Sequence, residues 1–197
     1  MTTRNEGAHE VVIVGGGFCG AQVARHLDGR ADVSVTLVDR RDRLEYIPGI
    51  PRIPFSKRAE EKLTVPYRDF LKRARILTAN VDAVTPEAVE AGAERLPFDT
   101  CVVCPGAIYP VHLDNRRNVF TLASVEDARQ IREALVDARR ILIVGGGTVG
   151  TEFAAELATR TPDTSVTVVH GMERLLERNP LRASEYARRF LEKRGVE

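Results

Sequence analysis

The sequence predicts an α/β protein that contains two βαβ units, the second of them incomplete. Two stretches carry this prediction, "VVIVGGGFCG" at residues 11–20 and "ILIVGGGTVG" at residues 141–150. Each is a short run of branched apolar residues, typical of a buried parallel strand, that ends in glycines and continues into a helical pattern. A second β-branched run follows each helix. A strand, a turn, a helix and a second strand in this order form a βαβ unit.

The elements of the first unit follow one another directly along the chain. Val11–Val14 is predicted as the first strand, Phe18–Leu27 as the helix and Val33–Val38 as the second strand. Residues 40–66 hold several prolines among charged residues, so we predict a long wrapping segment with little regular structure.

The rest of the chain carries further helix and strand patterns, and ends by repeating the opening unit. Ser124 followed by Asp127 is a weak capping box, and Gly195 is the expected C′ residue of the last helix. The predicted elements are a helix at 67–74, strands at 76–84 and Thr100–Cys104, a helix at Ser124–Ala138, a strand at Ile141–Val144, a helix at Thr148–Thr159, a strand at Val166–Val169 and a helix at Leu181–Arg194. This length suits one generous domain or two small ones. We predict two, at residues 1–110 and 111–197.

The composition is that of an ordinary soluble protein. The chain has 197 residues, of which 43% are hydrophobic and 29% charged, and its net charge is +1. Such a balance argues against nucleic acid as a partner and gives no strong attraction to an anionic membrane. The polar start "MTTRNEGAHE" lacks the apolar region of a secretory signal. We therefore expect a cytoplasmic protein and leave peripheral attachment to a membrane open.

The first glycine turn has the spacing of a dinucleotide-binding site. Gly15 permits a tight turn, Gly17 lets the backbone approach a pyrophosphate, and Gly20 lets helix and strand pack closely. The start of the helix then offers N–H groups to the phosphates. Asp39 ends the second strand, where an acid binds ribose hydroxyls. This order predicts a Rossmann-like unit; the alternative is a glycine-rich turn in another α/β domain.

The second glycine turn differs at the end of its second strand. Gly145, Gly147 and Gly150 repeat the spacing, but the strand is followed by His170 in place of an acid. With no carboxylate to repel a 2′-phosphate, His170 and Arg174 could accept NADPH as well as NADH. The alternative is that His170 lies at a strand edge in solvent.

Two such fingerprints in one chain, the second continuing as "GGGTVGTEFAAELA", resemble the pyridine-nucleotide-linked flavoprotein reductases. "VTLVDRRDRLEYIPGIPR" and "VTVVHGMERLL" are most similar to the apoptosis-inducing-factor-like branch and to type II NADH:quinone dehydrogenases. The resemblance covers nearly all of the chain from about residue 10. It implies an FAD-binding first domain and an NAD(P)H-binding second domain, with the two cofactor rings in contact.

The resemblance also implies which residues contact the cofactors. Those expected around FAD are Gly15, Gly16, Gly17, Phe18, Cys19, Gly20, Asp39, Arg40, Tyr46, Pro48 and Gly106. Those expected around the nicotinamide cofactor are Gly145, Gly147, Thr148, Val149, Gly150 and His170. Glu152 matches a family glutamate near the contact between nicotinamide and flavin, which makes it the predicted catalytic residue. The alternative for Glu152 is an acid that the helix dipole favours, and for Arg40 with Arg41 a solvated basic pair.

Two features depart from the family. The chain has Cys104-Pro105-Gly106 where the family usually has alanine, threonine and glycine. Full-length relatives also continue well beyond residue 197 with a Gly-Asp segment and an interface domain, so we expect this chain to be an N-terminal portion or a truncated product.

The cysteines give no sign of a metal or disulfide centre. Cys101 and Cys104 point to opposite faces of a strand, so core packing is favoured over a metal site. Residues 40–66 lack the cysteine pair of the related disulfide reductases. Cys19 begins a helix, where a thiolate is stabilised, although a small residue beside the phosphates explains it as well.

The function that follows is an FAD-dependent NAD(P)H oxidoreductase. Hydride would pass from the nicotinamide to flavin, and electrons would pass on to an acceptor, plausibly a quinone. The alternative is a truncated or regulatory dinucleotide-binding fragment without turnover, and a flavin monooxygenase ranks last. The sequence leaves the oligomeric state open, a homodimer included.

Overall fold

The computed structural model of the chain describes residues 7–107 and 118–197. The chain divides into two compact units. The first unit consists of Met1–Glu45 and Thr64–Pro110, and the second of Tyr46–Leu63 and Val111–Glu197. The predicted boundary at residue 110 lies outside the described residues. The units differ from the predicted contiguous domains because Tyr46–Leu63 groups with the second unit.

Both units are built from short strands and helices. The strands are β1 (His9–Val14), β2 (Val33–Asp39), β3 (Arg43–Glu45), β4 (Thr64–Pro66), β5 (Arg75–Thr78), β6 (Ala83–Val84), β7 (Ala88–Ala91), β8 (Glu94–Pro97), β9 (Thr100–Val103), β10 (Arg140–Val144) and β11 (Ser165–Val169). The helices are α1 (Phe18–Leu27), α2 (Lys57–Leu63), α3 (Tyr67–Phe70), α4 (Val125–Leu135), α5 (Thr148–Arg160) and α6 (Leu181–Glu192), with a 3₁₀ helix at Ile47–Phe55. In the ranges described, none of these helices is long and apolar enough to cross a membrane.

The first unit is organised around a four-stranded parallel sheet in the order β5-β2-β1-β9. Alternate residues of β1 face opposite sides of this sheet, as strand geometry requires. Val11 and Ile13 pack in a cluster with Ala24 of α1, whereas Val12 and Val14 pack with residues of β7 and β8. Both faces of β1 are therefore covered, which fixes the position of the turn that follows it.

The second unit has a smaller sheet, in which β10 and β11 pair in parallel. α5 and α6 contribute Leu157 and Leu191 to a cluster that includes Val166 of β11. On β10, by contrast, Leu142 and Val144 are 61% and 71% exposed. The second sheet thus has one covered face and one open apolar face among the described residues.

The segment between β3 and β4 is more regular than we predicted. It forms the 3₁₀ helix and α2, and Ile50 and Ile53 are buried against Ala128 of α4. Arg132 of α4 donates to the carbonyl of Ile53 at 2.6 Å and to Glu60 at 2.8 Å. The prediction of little regular structure was wrong, because proline fixes φ in a range that a 3₁₀ helix also uses and the apolar residues between the prolines pack on α4.

The predicted strand at 76–84 was also wrong in its extent. β5 ends at Thr78. Along the chain, β6, β7 and β8 come between β5 and β9 and form an antiparallel sheet of their own. The predicted helix at 67–74 is only the four-residue α3. The β6-β7-β8 sheet was missed because its central strand contains alanine and glutamate, which strands usually lack, and turns at Gly92 with a φ of 60°.

Helix ends agree better with the sequence. Ser124 caps α4 by accepting a hydrogen bond from the Asp127 N–H at 3.1 Å. Beyond α6, Gly195 adopts a φ of 76°, and its N–H donates to the Glu192 carbonyl at 3.0 Å. The Val196 N–H donates to the Leu191 carbonyl at 3.2 Å, which completes a Schellman motif with Gly195 as the C′ residue.

Candidate functional site

The first glycine turn joins β1 to α1 and has little room for side chains. Gly15 has a φ of 94°, and its N–H donates to the Val38 carbonyl at 2.8 Å. A Cβ atom at Gly20 would lie 1.8 Å from the Gly15 carbonyl oxygen, so helix and strand approach more closely than any side chain permits. A Cβ atom at Gly17 would meet nothing within 4 Å. The open side of the turn is therefore at Gly17, where α1 begins.

Asp39, at the end of β2, binds the backbone of this turn through its carboxylate. Its Oδ2 atom accepts a hydrogen bond from the Gly16 N–H at 2.6 Å, and its Oδ1 atom accepts from the Arg41 N–H at 2.8 Å. Each carboxylate oxygen has a second lone pair. The side chain can therefore hold the turn and still accept hydrogen bonds from a ribose.

Tyr67 provides a support that the sequence did not indicate. Its side chain is buried, and its hydroxyl donates to the Gly16 carbonyl at 2.8 Å. Burial, with the nearby charge of Asp39 as a further cause, raises the pKa of Tyr67. The phenol therefore keeps its proton at neutral pH and remains a donor. Because 51 positions separate the two residues, no local pattern could have shown the contact.

The second glycine turn repeats this backbone between β10 and α5. The Gly145 N–H donates to the Val169 carbonyl at 2.8 Å, and Gly145 has a φ of 118°. A Cβ atom at Gly150 would lie 1.9 Å from the Gly145 oxygen, whereas one at Gly147 would meet nothing within 4 Å. The open side again lies where the helix begins.

His170 takes the place that Asp39 holds in the first turn. Its Nδ1 atom accepts a hydrogen bond from the Gly146 N–H at 3.1 Å, which leaves the hydrogen of a neutral ring on Nε2. Nε2 is buried and has no hydrogen-bond partner among the described residues. The Gly146 carbonyl accepts from the Thr151 hydroxyl at 3.1 Å and from the Leu176 N–H at 2.8 Å. His170 is thus bonded into the turn and is not a free strand edge in solvent.

The remaining predicted site residues lie in several places. Phe18 and Val149, each next to its turn, are 50% and 51% exposed, and Thr148 is also exposed. Arg40 is exposed, whereas Arg41 lies 3.4 Å from Glu45. The basic pair is therefore only half solvated.

Four predicted site residues lie outside the two glycine turns themselves. Gly106 is exposed and has a φ of 78°. Tyr46 and Pro48 begin the segment that groups with the second unit, so the first unit does not contain them. Glu152 is exposed on α5, beyond its first turn. The roles of these residues remain predictions.

The prediction of core packing holds for Cys101 but not for Cys104. Cys101 packs in the cluster of Val12 and Val14, in agreement with a core role. Cys104 instead lies with its sulfur 3.4 Å from the sulfur of Cys19. Across the residues that the structure describes, no cluster of three or more potential ligands could hold a metal ion.

Comparisons with known proteins agree with this architecture. Human ferroptosis suppressor protein 1 is 28% identical over 196 residues, which cover 97% of this chain and 52% of that protein. Apoptosis-inducing factor homolog B of Dictyostelium discoideum is 29% identical and is matched over 95% of this chain and 50% of its own length. The chain spans about half the length of the curated relatives it matches.

The fold is also shared with solved structures. NDH2 of Plasmodium falciparum in complex with NADH superposes with a TM-score of 0.84 at 18% identity, over 95% of this chain and 47% of that one. At this identity the similarity shows the fold alone. The profile of the pyridine nucleotide-disulphide oxidoreductases matches residues 9–197. The chain therefore belongs to the pyridine nucleotide-disulphide oxidoreductase family.

Proposed function

We propose that this chain is the dinucleotide-binding part of an FAD-dependent NAD(P)H oxidoreductase. The observation that carries the proposal is the presence of two glycine turns. In each turn a side chain at or directly after the end of the second strand binds the middle glycine, and the N-cap glycine of the helix is open. When bound, FAD would take hydride from the nicotinamide and transfer two electrons to an acceptor. The residues of the chain bind and orient the cofactors.

In the first unit the residues around Gly17 fit the pyrophosphate of FAD. The space above Gly17 is open, and the ten-residue α1 presents its N-terminal N–H groups there. Asp39 would accept hydrogen bonds from the adenosine ribose while keeping its bond to the Gly16 N–H. Two exposed residues are proposed as further contacts with FAD: Phe18, which follows Gly17, and Gly106, which comes two positions after Cys104.

In the second unit Gly147 and the start of α5 would hold the pyrophosphate of NAD(P)H in the same manner. His170 then determines the choice of coenzyme. NAD-specific sites have a carboxylate at this position, whereas His170 has none, so a 2′-phosphate would not be repelled there. We therefore propose that NADPH is accepted as well as NADH. Glu152 is proposed to lie near the nicotinamide.

For the acceptor we propose a quinone. The support is the resemblance of "VTLVDRRDRLEYIPGIPR" and "VTVVHGMERLL" to the type II NADH:quinone dehydrogenases. NDH2 of Plasmodium falciparum shares the fold. Because the chain spans about half of its relatives, the acceptor, any homodimer and any peripheral contact with a membrane belong to this proposal and not to the established properties of the chain.

Anaerobic spectroscopy tests the proposal. The purified protein is loaded with FAD, and the flavin absorbance is followed after NADH or NADPH is added without oxygen. We expect bleaching of the flavin band with both coenzymes. Variant Asp39→Ala should lose FAD, whereas Asp42→Ala, which removes an exposed acid paired with Arg43, should retain it.

A second candidate is dinucleotide binding without turnover. Both glycine turns have the geometry for binding, and binding by itself needs no turnover. A protein that binds FAD and NADH but shows no bleaching would support this candidate against the oxidoreductase. A protein that binds neither cofactor would contradict both.

A further inference from the structure

Two cysteines far apart in sequence meet beside the first glycine turn. The thiol of Cys104 donates a hydrogen bond to the sulfur of Cys19 at 3.4 Å, across a separation of 85 residues. Cys19 is exposed on the first turn of α1, and Cys104 is partly buried directly after β9. Two thiols that are far apart in the sequence are thus in contact, and Cys19 is accessible to solvent.

The backbone around both cysteines is held firmly, so their contact follows from the fold. The Cys104 N–H extends the β1–β9 pairing by donating to the Val14 carbonyl at 2.7 Å. The Cys104 carbonyl lies so close to Gly15 that a Cβ atom there would be 2.2 Å away. On the other side, the close contact between Gly20 and Gly15 fixes the start of α1, which carries Cys19.

We propose that Cys19 and Cys104 form a reversible dithiol site that hydrogen peroxide oxidises to an intramolecular disulfide. The Cys19 sulfur attacks a peroxide oxygen, the O–O bond breaks, and a sulfenic acid and one water form. The Cys104 sulfur then attacks the Cys19 sulfur, the S–O bond breaks, and a second water leaves. The two sulfurs lose two electrons, the peroxide gains them, and the thiol protons end in water.

The two cysteines have different roles in this sequence of steps. Cys19 meets the oxidant because it is exposed, whereas Cys104 is shielded. Burial, and then the contact with Cys19, raises the pKa of Cys104. Cys104 therefore stays a thiol until its neighbour is oxidised, as expected of a resolving cysteine. The sulfurs must close from 3.4 Å to about 2.05 Å, which is a small movement for two side chains.

Cys101 provides an internal control. It lies on β9, three positions before Cys104, but packs in the cluster of Val12 and Val14 on the far face of the sheet. In an unfolded chain the shortest loop closes most readily, so Cys101 would pair with Cys104. Only the folded structure favours Cys19 as the partner of Cys104.

Peptide mapping after oxidation tests the proposal. The reduced protein is treated with hydrogen peroxide, free thiols are alkylated, and the intact mass and tryptic peptides are measured. We expect the protein to lose two hydrogen atoms, one thiol to be alkylated, and the peptides Asn5–Arg25 and Leu96–Arg116 to be joined. Because the second peptide holds both Cys101 and Cys104, the experiment is repeated with Cys101→Ser, which should form the same link at the same rate. Reduction with dithiothreitol should restore both thiols.

Other products would overturn the proposal. A link between Cys101 and Cys104 in the folded protein, a disulfide between two copies of the chain, or addition of two oxygens to Cys19 without a link would each contradict it. Unfolding the protein in urea before oxidation should move the link to Cys101 and Cys104. An unchanged link between Cys19 and Cys104 under those conditions would show that the fold does not direct the pairing.

Discussion

In the first glycine turn the amide of the middle glycine, Gly16, is bound by a carboxylate, whereas in the second the amide of Gly146 is bound by an imidazole. The backbone around these amides is otherwise the same. In both turns the first glycine has a positive φ, and the last touches it too closely for a side chain. The glycines therefore set the shape of the turn, and the side chain at the strand end sets the chemical character beside it.

The two turns also differ in what surrounds them. Gly15 lies against the Cys104 carbonyl, but a Cβ atom at Gly145 would meet nothing within 4 Å. The Gly16 carbonyl is held by Tyr67, while the Gly146 carbonyl is held by Thr151 and by the Leu176 N–H. Equivalent substitutions in the two turns should therefore have unequal effects, which can be measured.

The largest effect is expected at the last glycine of each turn. Gly20→Ala and Gly150→Ala place a Cβ atom 1.8 Å and 1.9 Å from a backbone oxygen, which cannot move aside. We expect the free energy of unfolding to fall by about 3 kcal/mol or more in each case. Urea titrations followed by circular dichroism measure this change.

The matched controls are Gly17→Ala and Gly147→Ala, which add a methyl group in open space. They should cost about 1 kcal/mol or less, through weaker helix capping, but should weaken dinucleotide binding. If Gly17→Ala destabilised the protein as much as Gly20→Ala, the assignment of the open and closed sides of the turn would be wrong.

A smaller effect should separate the two first glycines. Gly15→Ala and Gly145→Ala both place a side chain at a positive φ, which costs about 1–2 kcal/mol. Gly15→Ala in addition places its Cβ atom 2.2 Å from the Cys104 carbonyl oxygen. This contact should lower the free energy of unfolding by about 1–3 kcal/mol more. Equal losses in the same urea titration would mean that the surroundings of the two turns are equivalent.

The supports of the middle carbonyls should differ in the same direction. Tyr67→Phe removes the donor to the buried Gly16 carbonyl and should lower the free energy of unfolding by about 1–3 kcal/mol. Thr151→Val should cost about 1 kcal/mol or less, since the Gly146 carbonyl keeps the Leu176 N–H. A larger loss for Thr151→Val than for Tyr67→Phe would reverse this ranking.

The last predicted effect is on coenzyme preference, not on the free energy of unfolding. His170→Asp keeps an acceptor for the Gly146 N–H but adds a charge that repels a 2′-phosphate. We expect the ratio of the Kd for NADPH to that for NADH to rise about tenfold, or about 1.4 kcal/mol. Coenzyme fluorescence titrations give both constants, and His170→Asn is the uncharged control. A ratio that does not change would show that residue 170 does not lie near the 2′ position.

Local patterns were enough to predict the elements that carry the turns. The bounds of α1 agree with the prediction. The glycine fingerprint fixes where the helix starts, and the apolar pattern of the next ten residues shows its extent. The bond between Asp39 and Gly16 was not predicted, although the position of Asp39 was. The contact of Cys19 with Cys104 spans 85 residues, and only the pairing of β1 with β9 brings them together.

Tertiary packing decided the parts of the chain that were predicted wrongly. In the segment Tyr46–Leu63, prolines indicated an irregular path, but Ile50 and Ile53 find apolar partners on α4 and the backbone becomes helical. The hydrogen bonds of Tyr67 and His170 likewise depend on tertiary structure. Each joins its side chain to the middle glycine of a turn, 51 positions away for Tyr67 and 24 for His170. Composition and spacing contain no information on such pairs.

On the proposed role of His170, its bond to the middle glycine of the second turn restricts how coenzyme choice could evolve. Any residue that replaces His170 must offer a lone pair to the Gly146 amide, or that buried group loses its acceptor. Lysine and arginine, which attract a phosphate most strongly, have donors only and cannot do this. A route to strict NADPH use would therefore have to place its cation on a neighbouring position and retain an acceptor here.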